Sequence, residues 1–234
     1  GIMKTNRTLS FLLVLVFSIF VIPATAEEVW GFSNPEFLVG ASFVNVDVSA
    51  NQPGFSTSGM KPGVEITGRV DFWNGIYESF SAGLGAQAST TFGANQAMKF
   101  FGASLGKQDL DYAQFGGRGW VQLGNFPVRF YGVLGGQLME LEESLSVGGV
   151  PFKQTNGGGF AFFGRVGAEI PLDFMIGGMV FDASVARGEN NAKYEIPGIS
   201  NGPVITADVE NIYSVSISIP LEKIARSRLF NWRE

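Results

Sequence analysis

Hydrophobic and polar positions alternate with a period of two through most of the chain. One segment sets Val64, Ile66, Val70 and Phe72 on one face and Glu65, Thr67, Arg69 and Asp71 on the other. Another sets Phe160, Phe162, Val166, Ala168 and Ile170 against Phe163, Arg165 and Glu169. A third sets Ile205, Val209, Tyr213, Val215, Ile217 and Ile219 against Thr206, Asp208, Glu210, Ser214, Ser216 and Ser218. Successive side chains of a strand point to opposite faces, so this period predicts β structure. Eight strands are expected, over 37–48, 64–72, 78–92, 110–123, 128–141, 159–170, 174–187 and 204–219.

The intervals between them alternate long and short. Short ones hold Asn74-Gly75, Gly124-Asn125-Phe126-Pro127 and Pro171-Leu172-Asp173, which are tight-turn residues. Long ones cover 49–63, 93–109, 142–158 and 188–203 and are rich in Gly, Asn, Ser, Gln and Pro. This rhythm predicts an all-β, eight-stranded antiparallel up-and-down transmembrane barrel, with both ends of the strand region on the short-turn side.

The polar face decides between a soluble and a membrane barrel. The lysines after the first segment stand at 61, 99, 107, 153, 193 and 223, all in expected loops or the tail. The strands carry instead isolated Arg, Asp and Glu among small polar residues, which reads as a lumen. The apolar face then meets lipid. Interfacial aromatics are expected at Trp30, Trp73, Tyr77, Phe126 and Phe174 on the short-turn side and at Phe92 and Phe160 on the loop side.

The first segment is of another kind. Lys4 and Arg7 precede an apolar run over 11–22, and Ala24-Thr25-Ala26 supplies a small-x-small cleavage pattern. The run is too short to span a bilayer comfortably. It reads as a cleaved Sec-type signal peptide, 1–26, which directs the chain to the bacterial outer membrane. The expected organisation continues with a periplasmic arm, 27–36, the barrel, 37–219, and a periplasmic tail, 220–234. Leu221, Ile224, Ala225 and Leu229 could share one face of a short basic helix in that tail.

Composition narrows the chemistry. The chain has 32 Gly and 22 Phe in 234 residues, with no His and no Cys. No disulfide, thiolate metal site or histidine-based nucleophile is available. Metal, cofactor and catalytic residues are therefore all expected to be absent. Removing Lys4 and Arg7 leaves the mature chain at a net charge of −7, which disfavours nucleic acid as a partner. Glycine-rich runs such as Gly157-Gly158-Gly159 lack the strand–loop–helix setting of a phosphate loop.

Taken together, the signal segment, four up-down hairpins and polar loops resemble the OmpA transmembrane domain and the OmpW-like proteins. The resemblance is architectural and implies no particular site residues. The chain departs from it in two respects. No peptidoglycan-binding domain follows the barrel, and the last residue is not a strand-terminal aromatic.

Candidate lumen charges are Glu65, Arg69, Asp71, Arg118, Arg129, Arg165, Glu169, Asp182, Asp208 and Glu210. Hairpin symmetry about Gly149 sets Arg129 opposite Glu169. The same construction brings Asp182 near Asp208, with Arg165 or Arg187 as the neutralising cation. Small inward residues, Ser79, Ser81, Gly83, Gly85, Ser89, Ser214, Ser216 and Ser218, leave either a narrow wet cavity or a space filled by Trp120 and Arg118. Three functions follow as alternatives. They are a non-enzymatic barrel with an envelope-structural or small-solute role, a surface-recognition barrel acting through its loops as an adhesin or phage receptor, and a histidine-free lipid-modifying enzyme. Expected partners are outer-membrane lipids and lipopolysaccharide, the barrel-assembly machinery and a small solute.

Overall fold

The computed structural model describes residues 31–50, 54–57, 60–76, 80–101, 103–124, 126–147, 150–171, 178–195 and 205–222. The signal segment, Trp30, Tyr77, Phe174 and the tail beyond Glu222 lie outside them. Nine strands follow in chain order: β1 (Glu36–Ala50), β2 (Phe55–Thr57), β3 (Lys61–Ile76), β4 (Phe80–Phe100), β5 (Ala103–Leu123), β6 (Arg129–Val147), β7 (Val150–Ile170), β8 (Met179–Glu195) and β9 (Ile205–Pro220). All neighbours pair antiparallel. The order β4-β3-β1-β9-β8-β7-β6-β5 closes through pairing of β4 with β5, giving an eight-stranded barrel, and β2 is a short addition on the tip of β4.

Two of the four expected long loops, 93–109 and 142–158, are largely wall, and so is 188–195 of a third. β4 and β5 stay paired to Phe100↔Ala103, β6 and β7 to Val147↔Val150, and β7 and β8 to Lys153↔Glu195. Five lysines assigned to loops or their edges, at 61, 99, 107, 153 and 193, therefore lie in strands. The polar composition that suggested loops is equally that of a strand facing water. A strand of 21 residues, at about 3.4 Å per residue and a tilt near 45°, rises about 50 Å. That is about twice the ~25 Å apolar band of transmembrane barrels.

One expected turn moves. Asn74 and Gly75 are in the ladder, opposite Gly83 and Ala82. The last described pair there is Ile76↔Ser81. Ile170 pairs with Met179, where the described part of β8 begins; the expected start at Phe174 lies outside the described residues. The turn between β5 and β6 is where expected, closed by a Phe126 N–H bond to Leu123 O of 2.8 Å.

The barrel changes polarity along its length. In the short-turn and middle portions, polar side chains are buried inside and apolar ones face out: Leu134, Phe162 and Val166 are 76%, 73% and 67% exposed. Toward the other end Val44, Val46, Ala94, Leu110, Met139, Ala161, Ala186 and Ile212 are buried inside. There the outward positions carry Asp47, Asp111, Glu140 and Arg187. The first portion suits lipid outside; the second is built like a soluble barrel with its own apolar core.

Candidate functional site

The lumen is filled by two stacked layers of charge. The layer at the short-turn end is held by β1, β3, β5, β6 and β7. Arg69 bonds Glu36 at 2.6 Å and Glu169 at 2.5 Å. Arg118 bonds Asp71 at 2.9 Å and also Glu169. Trp120 donates its indole N–H to Asp71 at 2.8 Å. Arg129 stands directly opposite Glu169 in the ladder. It approaches that carboxylate only to 3.5 Å while its guanidinium lies 4.1 Å over the Trp120 ring. Three arginines and three acids make this layer neutral.

The second layer crosses the middle of the barrel. Arg165 on β7 forms a two-pronged ion pair with Glu65 on β3, both contacts 2.9 Å, and donates to Gln114 at 2.7 Å. Asp182 on β8 lies 3.6 Å from the same guanidinium and accepts from Tyr131 at 2.8 Å and Ser216 at 2.7 Å. Gln114 donates to Gln137 at 2.7 Å. Ser184 and Ser214 share a 2.6 Å hydrogen bond. Glu65 and Arg165 are 1% and 2% exposed, so no open water column passes them. Each charge comes from a different strand. Only the closed register brings them together, which removes the cost of burying each alone.

Of the sequence-derived lumen residues, eight lie in these layers: Glu65, Arg69, Asp71, Arg118, Arg129, Arg165, Glu169 and Asp182. Two do not. Asp208 pairs with Asn191 and Ser49 near the far rim and is exposed. Glu210 is exposed at the bulge where β1 shifts against β9. Asp182 sits instead opposite Gly167 and Ser216, far along the strand from Asp208. The expected pairing placed the β8–β9 hairpin's pivot too early in the chain, so the partner of Asp182 lies further along β9, at Ser216. Arg187 shares the outward parity of Phe181 and Val185 and is exposed on the outer wall, opposite Phe162 and Asn211. The cation beside Asp182 is Arg165.

Sequence reasoning passed over Glu36, assigned to the arm, and the neutral members Gln114, Gln137 and Tyr131. Glu36 shares the inward parity of Leu38 and Ser42, which was the available signal. At Gly83 the small-residue wall of β4 is filled by Trp120. A Cβ on Gly83 would lie 2.3 Å from the Trp120 indole nitrogen, so the ring occupies that space. Among the aromatics, Phe126 stacks with Phe130 at 6.3 Å on the short-turn side. Phe160 meets Phe162 edge-on at 5.3 Å on the other. Trp73 and Phe92 pair across β3 and β4 with Leu84 and Val64. No cluster of acidic side chains suited to a metal occurs among the described residues.

A closed antiparallel barrel of eight strands, polar within and apolar around its waist, defines the small outer-membrane-type β-barrels. The chain has that fold. Among solved structures it is similar to the outer membrane protein OprG from Pseudomonas aeruginosa. The likeness has a TM-score of 0.50 at 14% identity, covering 80% of this chain and 95% of that one. It is also similar to the outer membrane protein AlkL, solved in lipid bilayers, with a TM-score of 0.44 at 12% identity over 85% and 94%. Ail of Yersinia pestis gives a TM-score of 0.38 at 12% identity over 80% and 97%. No family model and no curated protein matches the sequence.

Proposed function

We propose that this chain is a non-enzymatic outer-membrane barrel with a closed, structural lumen that acts through its extracellular half. The buried pair Glu65–Arg165 carries the reading. It spans the lumen, is enclosed, and is bonded further by Gln114 on the arginine and by Thr67 and Ser216 on the carboxylate. Eight-stranded barrels are just wide enough for side chains to fill them. A path for solute would require both charged layers to part. The wall that rises above the lipid band is then the part available to other molecules, as expected of loops and rims on a rigid scaffold. Its paired β4–β5 tip presents Phe101, 74% exposed and at a φ of 47°, to the outside.

Planar-bilayer recording on refolded protein tests the closed lumen. The intact barrel is expected to give no steady conductance, and so is Glu65→Ala/Arg165→Ala/Asp182→Ala, because the layer of Arg69, Arg118 and Glu169 still closes the path. Steady conductance from the unaltered protein would overturn the reading. Export is tested separately by fractionation and N-terminal sequencing, with Glu27 expected as the first residue of protein recovered from the outer membrane.

A further inference from the structure

The short-turn end of the barrel opens into a vestibule. One cavity of about 530 Å³ is lined by Asn34, Asn74, Ser81, Trp120, Gln122 and Arg129, among others. A second of about 280 Å³ adjoins it and shares Glu36, Arg69, Gln122, Arg129 and Glu222. The larger lies within the range of small-ligand sites.

Arg129 is the unusual member. Glu169 is already bonded by Arg69 and Arg118, so Arg129 reaches it only at 3.5 Å. Its Nε is buried without a partner, as are those of Arg118 and Arg165, but the side chain as a whole is 31% exposed. The guanidinium carbon lies 4.1 Å over the Trp120 ring. A part-exposed guanidinium held in this way, with one long ion-pair contact, can turn its terminal nitrogens to a two-pronged bond with a carboxylate. The surroundings then select what carries that carboxylate. The layer's charges cancel and Glu222 adds a negative one at the rim, which disfavours a polyanion. Asn74 and Asn34 supply amides and Ser81 a hydroxyl, the complement of a peptide backbone, while Gln122 and Ser33 are held by bonds to Phe126, Asn34 and Asp71.

From this we infer that the vestibule is a binding site for the free C-terminus of a short, uncharged peptide, with Arg129 holding the carboxylate. The site lies on the periplasmic side and is independent of whether the lumen conducts. Calorimetric titration of the refolded barrel in phosphatidylcholine nanodiscs with tri-alanine tests it. Saturable binding is expected, weakened by about tenfold or more for the C-terminal amide and for Arg129→Gln, with each tenfold step worth 1.4 kcal/mol. Arg129→Lys keeps the charge without the fork and is expected to fall between. Heat-modifiable mobility of each variant verifies folding. Equal binding of acid and amide, undiminished binding by Arg129→Gln, or saturable binding of inorganic phosphate but not of tri-alanine would each overturn the proposal, as would no saturable binding of tri-alanine.

Discussion

Arg165 reaches from β7 to Glu65 on β3, almost across the barrel, and both ends of the pair are out of water. Removing one partner leaves the other charge buried and unmatched, which typically costs about 3–5 kcal/mol. Glu65→Gln is therefore expected to lower the unfolding free energy in lipid vesicles by that order. Glu65→Leu/Arg165→Met, which removes both charges, is expected to cost far less, because apolar replacement of a buried pair is often neutral. Equal losses for the single and double variants would contradict this account. Two glycines give the opposite kind of test. At Gly117 a Cβ meets nothing within 4 Å, whereas at Gly83 it runs into Trp120. Gly117→Ala is expected to stabilise by about 0.4–1 kcal/mol through the unfolded chain, and Gly83→Ala to destabilise. The temperature at which the compact gel band is lost reads both.

At the scale of elements, alternation revealed most of the strands but not how far they run. Residues such as Lys99, Lys193 and Glu195 are polar, and polarity was taken to mean loop. They lie exposed in strands, where the same polarity marks a face turned to water. Register was legible where the middle of the connection marks the hairpin's pivot, as Gly149 does for Arg129 and Glu169, and illegible where it does not, as between Asp182 and Asp208. Both hairpins carry a bulge, which shifts the pairing by a residue and leaves the larger error to the pivot. Outward positions should respond to substitution according to depth. Val166, in the apolar waist, changed to Arg is expected to cost about 2–4 kcal/mol in bilayers. Asp111, which accepts the Gly93 N–H at 3.0 Å near the rim, changed to Arg is expected to cost much less. Comparable losses at both positions would place the apolar band elsewhere.

For the whole molecule, the reversal of polarity along the barrel has a mechanical meaning. Below it, the chain is stable only with hydrocarbon outside; above it, only with water outside. The boundary is thus a waterline drawn around the wall between Phe162 and Asp111. A small vertical displacement either wets Leu134 and Val166 or drags Asp47, Asp111 and Glu140 into hydrocarbon, and both are costly. The barrel is in effect a float with a fixed draught. It holds its tip at a set height whatever tugs on it, and the surrounding bilayer, being softer, is the partner that must thin or thicken to fit.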